Sequence, residues 1–367
     1  MFTVNFFKKR FFLIGILLTF TLLLLVSSCF NTSKKEKRKD KIPRASITCP
    51  ICGRKLEQSL GERKPVAIKI ENDPLARPQS GLDKACLVYE ELTEGGITRF
   101  LAIFLCNNAD PVGPVRSART ADIDLVYPFG AYFSHCGGGR PILEQIKSSG
   151  IFDLDELSYP DLYWRSRDRK APHNLYTSTE RLEKFGNSIY ANKTSIGKPF
   201  SFLSSSEEER IIRETESLRE SGKKEVSQGR GGFELVNAVE IPFAKPCDVR
   251  YVYDSKTRSF LRFMSGAPHI ERTSEKQISV STVIVQYVTE SPSGLKDVRG
   301  ADTPDLGVVG SGDAEVFTLG ILRRGTWVKN SREEHTRFFD SDGNVIKIKK
   351  GPIWIELVPV TERTRIY

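Results

Sequence analysis

The first thirty residues constrain this chain more than any other stretch, because they decide where the rest of it folds. Lys8, Lys9 and Arg10 precede an uncharged run of sixteen residues from Phe11 to Val26. That run is short for a membrane-spanning helix, which needs about 20 residues, and it suits the apolar region of a secretory signal peptide. An uncleaved N-terminal anchor is the alternative. With either interpretation the remaining chain works outside the cytoplasm.

The residues up to Cys29 indicate how this signal ends. Val26-Ser-Ser-Cys29 resembles the bacterial lipoprotein signal, in which cleavage falls before the cysteine and the sulfur is acylated. The resemblance implies that a signal peptide at 1–28 is removed and that Cys29 carries the lipid. We therefore expect a protein anchored in the cell membrane by its lipid, on the extracytoplasmic face.

Most of the positive charge precedes the part of the chain that we expect to fold. Of a formal net charge of +9, residues 1–28 contribute +3 and residues 30–44 contribute +5, which leaves +1 after Arg44. A nearly neutral body argues against nucleic-acid binding, which depends on a basic face. The basic tether, placed at 29–59, either lies against anionic lipid headgroups or is a solvated spacer.

Residues 60–203 predict a mixed α/β N-terminal domain. The segment Thr177-Ser-Thr-Glu180 is a capping box, in which the Thr177 hydroxyl and the Glu180 carboxylate satisfy backbone donors at a helix start. Strands alternate here with helices, which favours a layered domain. Strands are predicted at 66–70, 86–89 and 99–105, and helices at 119–126, 141–148 and after residue 177.

The second half of the chain has a different pattern. Residues 204–232 hold mixed charges and few large aliphatic side chains, which predicts an exposed charged linker, part of it a surface helix. The periodicity then becomes two-fold, which predicts a mostly β C-terminal domain at 233–367. The predicted fold class is α+β. Strands are predicted at 233–243, 249–253, 260–263, 283–288, 315–319, 326–328 and 353–358.

The cysteines after Cys29 form no complete metal motif in the sequence. Cys49-Pro-Ile-Cys52-Gly is similar to half of a zinc ribbon, but a structural site needs four ligands and no second pair follows at a suitable spacing. In an oxidising location this pair could close a small disulfide. The sequence favours a plain turn or a local disulfide over zinc, and no metal or cofactor is predicted. The remaining cysteines stand alone at positions 86, 106, 136 and 247.

A glycine run lies where a strand is predicted to end and a helix to begin. In His135-Cys-Gly-Gly-Gly-Arg140 the backbone amides could point into a concavity, which the helix dipole would make favourable for an anion. A tight strand-to-helix turn is the alternative. Cys136 and His135 make a poor nucleophile pair, because adjacent residues of a strand point to opposite faces.

Arginines gather where strands are predicted to end and helices to begin. Forked guanidinium groups at such places suit the recognition of phosphate or carboxylate. The same domain holds several glutamates, so an internal ion-pair network that fixes loops is the alternative. The residues predicted to bind an anionic ligand are Arg77, Glu90, Glu94, Arg99, Arg116, Arg119, His135, Arg167, Lys170, His173 and Asn174.

Several long segments carry a family resemblance. They include Arg77-Pro-Gln-Ser-Gly-Leu-Asp-Lys-Ala85, Val88-Tyr-Glu-Glu-Leu-Thr-Glu-Gly-Gly-Ile-Thr-Arg-Phe100, Gly113-Pro-Val-Arg-Ser-Ala-Arg119, Lys170-Ala-Pro-His-Asn174, Val309-Gly-Ser-Gly312, Gly325-Thr-Trp-Val-Lys329 and Ile353-Trp-Ile-Glu-Leu-Val-Pro359. Together they resemble the YerB-like bacterial lipoproteins, a family known as a domain of unknown function with N- and C-terminal halves. The resemblance covers most of the chain beyond residue 60.

The resemblance implies a lipoprotein of two domains and supplies no activity. The sequence departs from the family pattern at Cys136-Gly-Gly-Gly, where relatives tend to have Ala-Gly-Gly, and at Thr120, where they often have proline. The first departure puts a cysteine where the family does not need one, which weakens the case for thiol catalysis.

Two functions of different classes fit these observations. The first is a tethered lipoprotein that binds an anionic cell-envelope ligand or an envelope protein partner. The second is a phosphotransferase-like or hydrolytic enzyme that acts on phosphorylated cell-wall intermediates. In the enzyme, Arg116, Arg119 and Arg167 would hold negative charge, and Glu90 or Glu94 would hold a metal or act as a base.

Overall fold

Alternating buried side chains along the central strands build a sheet that is covered on both faces. In the computed structural model, Phe100, Ala102 and Phe104 belong to one hydrophobic cluster, whereas Leu101 and Ile103 belong to another. A strand that is apolar on both sides cannot face water. Other elements therefore pack on each face of this sheet.

The structure describes residues 47–56, 63–190, 196–222, 232–296 and 300–367. From Ser46 to Tyr367 the chain forms one compact unit. The predicted signal peptide, Cys29 and the first part of the predicted tether lie outside the described residues. Among the helices within those ranges, none is long and apolar enough to span a membrane.

The elements of the described residues are short helices and many strands. The helices are α1 Thr120–Val126, α2 Arg140–Ser149, α3 Thr179–Ile189 and α4 Ser205–Glu220, with 3₁₀ turns at Pro74–Ala76, Leu82–Lys84, Glu94–Gly96, Tyr127–Phe129 and Pro160–Leu162. The strands are β1 Ile47–Thr48, β2 Lys55–Leu56, β3 Val66–Glu71, β4 Leu87–Leu92, β5 Thr98–Phe104, β6 Tyr132–Ser134, β7 Phe152–Asp153, β8 Trp164–Arg165, β9 Leu175–Tyr176, β10 Ser201–Phe202, β11 Glu234–Leu235, β12 Ala238–Ile241, β13 Val249–Asp254, β14 Ser259–Met264, β15 Ala267–Pro268, β16 Ser279–Val280, β17 Thr282–Lys296, β18 Asp302–Gly307, β19 Gly310–Thr318, β20 Ile321–Lys329, β21 Arg337–Asp340, β22 Lys347–Ile348, β23 Ile353–Pro359 and β24 Arg365–Ile366.

Two larger sheets organise these strands. The main sheet has twelve strands in the order β11-β20-β19-β17-β23-β4-β5-β3-β6-β7, with β18 beside β17 and β21 beside β20. The second sheet has six strands in the order β15-β14-β13-β12-β24, with β16 beside β14. Side chains of the second sheet, such as Tyr251 and Phe260, share a hydrophobic cluster with one face of the main sheet. Helices α1 and α2 pack Ile123 and Ile142 into the cluster on the opposite face.

The predicted fold class is confirmed, because helices α1 to α4 all precede residue 221 and the described residues after it form strands and loops. The predicted strands at 66–70, 86–89 and 99–105 are β3, β4 and β5, and the first two predicted helices are α1 and α2. The predicted capping box needs a correction of one residue. Ser178 is the cap of α3 and accepts from the Arg181 amide, whereas the Thr177 hydroxyl donates to the carbonyl of Leu162.

The strand predicted at 233–243 is two strands in different sheets. β11 pairs with β20 in the main sheet, and β12 pairs with β13 in the second sheet. At the break, the Val236 amide donates to the Gly320 carbonyl and the Asn237 amide donates to the Tyr367 carbonyl. The apolar run continues through the break because Val236 and Ala238 are buried on either side of the exposed Asn237.

Part of the predicted charged linker is a surface helix, as the sequence allowed. Its residues 205–220 form α4, which buries Ile211 against Phe233, Leu319 and Ile321 in a small separate cluster. Three large aliphatic residues, Ile211, Ile212 and Leu218, suffice for this contact because only one narrow face of the helix is covered. The end of the predicted tether is likewise ordered, since residues 47–56 form the β1–β2 hairpin.

Strands from the two predicted domains share the main sheet. β23 lies between β17 and β4, and it is parallel to both. All seven residues of β23 are buried, and a strand of that composition would be a liability at a sheet edge. The two halves of the sequence therefore pack as one unit, and the division at 204–232 stays a prediction about the sequence.

Candidate functional site

A cavity of about 600 Å³ opens at the end of the main sheet where β3 ends and β5 begins. Its wall combines charged residues from four separate stretches of the N-terminal half. They are Glu71, Asp73, Glu94, Arg99, Arg116, Arg119 and His173, and Lys296 joins them from the C-terminal half.

Strand register and one short turn explain why these residues meet. Glu71 ends β3 and lies opposite Arg99 at the start of β5. Glu94 occupies the turn between β4 and β5, where Gly95 adopts a φ of 70°, a conformation that favours glycine. The segment that carries the other arginines runs beside β3, because the Arg116 amide donates to the Lys69 carbonyl at 2.9 Å.

Glu94 is the centre of an ion-pair group. Its Oε2 accepts from Arg119 Nη2 at 2.6 Å, and Arg99 Nη2 lies 3.5 Å from the same oxygen. Its Oε1 accepts from the Thr303 hydroxyl at 2.7 Å. Burial alone would raise the pKa of Glu94, but the contact with Arg119 outweighs it and holds the pKa at about 2. Glu94 is therefore a carboxylate at neutral pH.

Basic side chains outnumber carboxylates in this wall by one. Burial and, after it, the positive charge of Arg119 lower the pKa of Arg99 below its usual range. Three arginines and Lys296 face three carboxylates, Glu71, Asp73 and Glu94. The cavity thus carries a surplus of one positive charge at its centre, which an anion would neutralise.

Several polar atoms of the wall have unused hydrogen-bonding capacity. Arg116 Nε lies 2.8 Å from Glu71 Oε1, and His173 Nδ1 lies 3.0 Å from Glu71 Oε2. These are ion-pair distances, but their angles are too poor for hydrogen bonds. Among the described residues, the buried atoms without a hydrogen-bond partner include four of this wall: Glu71 Oε2, Arg116 Nε, Arg119 Nε and His173 Nδ1.

The predicted glycine turn forms another side of the cavity. Gly138 and Gly139 line it, and Gly139 is the N-cap of α2 without any side-chain cap. The positive end of the helix dipole therefore points toward the cavity. Arg140, in contrast, extends into solvent and pairs with Glu144.

His135 supports this turn from below and does not line the cavity. The ring is fully buried, with Nε2 2.9 Å from Asp153 Oδ1 and Nδ1 2.9 Å from the Gly137 carbonyl. Burial lowers the pKa of His135, but the contact with Asp153 outweighs it, so the pKa is raised overall. His135 thus holds the turn in place from within the core.

Other predicted site residues hold the fold away from the cavity wall. Arg77 donates to the carbonyls of Asn72 and Pro246. Glu90 is fully buried and accepts from Arg262 and Thr98. These two side chains are committed to partners in the protein.

Of the predicted site residues in the last stretch, only His173 lines the cavity. Arg167 and Lys170 are exposed at the surface. The Asn174 side chain donates to the carbonyls of Ser166 and Arg169, and so fixes the loop that presents His173.

The sequence interpretation missed several wall residues, among them Glu71 and Thr303. Glu71 is the charged residue that ends the apolar strand β3, and a charge at a strand end is a signal that the sequence contains. Thr303 carries no such signal, because it comes from β18 in the C-terminal half and meets Glu94 only through the tertiary fold.

The structure corrects the description of the cysteines as isolated. Cys49 and Cys52 lie beside Cys86 and Cys106, with the four sulfur atoms within 4.8 Å of one another. We call these four residues the cysteine cluster. All four are buried, and Cys136 and Cys247 lie outside the cluster.

Comparisons with known proteins agree with the fold and supply no activity. Residues 51–193 match the N-terminal domain, and residues 239–355 the C-terminal domain, of the protein family of unknown function DUF3048. The "Putative lipoprotein YerB" of Bacillus subtilis (strain 168) is 31% identical over 327 residues, which cover 88% of this chain and 90% of the relative. The crystal structure of the YerB protein from Bacillus subtilis superposes with a TM-score of 0.71 at 27% identity, covering 88% of this chain and 99% of that one.

Proposed function

This chain belongs to the DUF3048 family of unknown function, and from that premise we propose that its charged cavity binds an anionic group of a cell-envelope ligand. The observation that carries this proposal is the set of buried polar atoms without hydrogen-bond partners on Glu71, Arg116, Arg119 and His173. Such atoms cost free energy unless a partner arrives. A carboxylate or phosphate oxygen would accept from the nitrogen donors among them.

The cavity is suited to one compact anionic group. Arg99 and Arg119 already share Glu94, so their remaining donors and Arg116 would contact the ligand. The uncapped start of α2 would add a favourable dipole on the opposite side. Glu71 would orient Arg116 and His173 and would repel a ligand of high charge, which favours a singly or doubly charged group.

The proposal includes attachment to the membrane. A relative named as a lipoprotein supports the signal peptide, the lipid on Cys29 and a position on the extracytoplasmic face. The basic residues that follow Cys29 would lie against anionic headgroups. Incorporation of labelled palmitate that is lost in Cys29→Ser and retained in Cys136→Ser would support the anchor, and equal labelling of both would contradict it.

Titration calorimetry tests the anion site directly. The full chain, purified in detergent at low ionic strength, is titrated with sodium phosphate and with sodium malonate as probes. Arg116→Gln should weaken binding about tenfold or more, since one hydrogen bond to a charged group contributes about 1.5–3 kcal/mol. Arg140→Gln is the matched control, because Arg140 is 90% exposed outside the cavity wall.

The outcomes separate a ligand site from a structural ion-pair network. Weakened binding in Arg116→Gln alone supports the site. If the wild type binds neither probe while Arg116→Gln lowers the melting temperature by many degrees, the arginines only hold the fold and the proposal fails. Equal binding by both variants would also contradict it.

The enzyme hypothesis stays a prediction with less support. Glu90 lies in a separate buried network, and Glu94 is engaged by Arg119, Arg99 and Thr303. Glu90 does not line the cavity, and both carboxylate oxygens of Glu94 are already engaged by protein groups. Binding of an anion without turnover is therefore the function that the geometry supports best.

A further inference from the structure

The cysteine cluster brings together residues from three stretches of the chain. Cys49 and Cys52 lie in the β1–β2 hairpin, Cys86 directly precedes β4, and Cys106 follows β5. A tetrahedral Zn²⁺ with Zn–S bonds of about 2.3 Å requires sulfur atoms about 3.8 Å apart. The sulfur–sulfur distances in the cluster lie on both sides of this value: 3.3 Å separates the sulfurs of Cys52 and Cys106, and all four sulfurs lie within 4.8 Å of one another.

The hairpin turn has the backbone of a metal-binding knuckle. The Gly53 amide donates to the Cys49 carbonyl at 2.9 Å, and the Cys52 amide points at the Cys49 sulfur at 3.5 Å. Gly53 has a φ of +70°, and a Cβ there would lie 2.8 Å from Lys350 and 2.9 Å from Phe202. Only glycine fits this position, so the turn is held in one conformation with both sulfurs on one side.

Polar groups around the cluster are placed to stabilise thiolates. The Cys106 amide donates to the Cys86 sulfur at 3.4 Å, and Arg54 Nε donates to the Cys52 sulfur at 3.4 Å. Four thiolates around one Zn²⁺ carry a net charge of −2. Amide N–H groups and a guanidinium near the ligands stabilise this negative charge. If the four thiols served only as small apolar side chains, they would need neither the amide donor nor the Arg54 guanidinium beside them.

We propose that the cysteine cluster binds one structural Zn²⁺. Binding releases the four thiol protons to solvent, and the ion makes four Zn–S bonds without any change of oxidation state. A hairpin with two-residue strands is too short to be stable alone. The ion would therefore fasten the start of the folded unit, directly after the basic tether, to β4 and β5.

This site lies at the opposite end of the β4–β5 hairpin from the anion cavity, so the two proposals stand independently.

Metal analysis of the purified full chain tests the proposal. After dialysis against metal-free buffer, elemental analysis should find one zinc per chain in the wild type and in Cys136→Ser. Cys49→Ser and Cys106→Ser should lose it. Replacement by Co²⁺ should produce the intense absorption of tetrahedral thiolate coordination in the wild type and in Cys136→Ser only.

A second measurement keeps the proposal testable if the cluster variants fail to fold. A strong zinc chelator should lower the melting temperature of the wild type, and added Zn²⁺ should restore it. Alkylation and peptide mapping of the wild type should find all four cysteines reduced. Two disulfides within the cluster, or no bound metal and no cobalt spectrum, would overturn the proposal, and iron in place of zinc would overturn the choice of metal.

Discussion

At the scale of single residues, the cavity depends on which charged groups are already satisfied. Glu94 is held by Arg119, Arg99 and Thr303, so its charge belongs to the protein. Arg116 and His173 approach the remaining carboxylate, Glu71, without forming good hydrogen bonds. Arg116 and His173 are therefore the part of the wall that remains available to a ligand.

The environment of Glu94 predicts a pH-dependent contribution to stability. Its pKa falls from 4.5 to about 2 on folding, so the contribution is complete above the higher value and is lost as the pH falls toward the lower one. Glu94→Gln should lower the free energy of unfolding by roughly 3 kcal/mol at neutral pH. By about pH 3 less than half of that difference should remain.

Urea denaturation of the wild type and Glu94→Gln across this pH range measures the effect. Glu144→Gln is the control, because that carboxylate is exposed in its pair with Arg140. The control should follow the wild type at every pH. A difference for Glu94→Gln that stays constant down to pH 3 would show that its cause is not this titration.

At the scale of elements, α4 shows how a charged segment can still be anchored. Ser204 and Glu207 form a capping box, in which the Ser204 amide donates to Glu207 Oε2 at 2.8 Å. Most of the helix faces solvent, and Ile211 is its main buried aliphatic contact. Ile211, with the partly buried Ile212 and Leu218 beside it, therefore attaches a helix that its composition alone would assign to solvent.

Removing this contact should loosen the helix. Ile211→Ala should lower the free energy of unfolding by about 2–4 kcal/mol, because it removes a buried side chain and leaves a cavity. Ile212→Ala should cost clearly less, since Ile212 is only partly buried. Urea denaturation compares the two variants, and equal losses would mean that α4 is not held by the face that contains Ile211.

At the scale of the whole molecule, one buried arginine joins the two large sheets. Arg262 of β14 donates to Glu90 of β4 and to Glu356 of β23. Its guanidinium also lies over the ring of Trp354, 4.4 Å from the centroid. Burial, and then the charge of Glu90, raise the pKa of Glu356 well above its usual range. The sheets are thus connected by charge as well as by apolar packing.

Arg262→Met should destabilise the molecule as a whole. Without the guanidinium, two carboxyl groups remain buried with no opposite charge, which costs about 3–5 kcal/mol. Arg250→Met on the neighbouring strand β13 is the matched control, because that arginine is exposed and its loss should stay within about 0.5 kcal/mol. Denaturation followed by circular dichroism measures both, and similar midpoints for the two variants would contradict this account.

Much of the local structure could be predicted because it follows from neighbouring residues. β3, β5, α1 and α2 begin within a residue or two of the predicted positions, since periodicity and turn residues are local signals. In the cavity, Glu94, Arg99 and Arg116 were predicted to act together, because arginines at strand and helix ends are also a local signal. Glu90 was predicted with them from the same pattern, and the structure places it in a separate network with Arg262.

By itself, the sequence determined the α+β class, the positions of most elements and the separation of a charged N-terminal region from a nearly neutral body. Only the tertiary structure decided that β23 lies beside β4, that Thr303 reaches Glu94 and that Cys49 meets Cys106. The physical reason is the same for all three. Each contact joins residues far apart in the chain, and their proximity depends on how buried strands are ordered in the sheet, which no local pattern of residue types encodes.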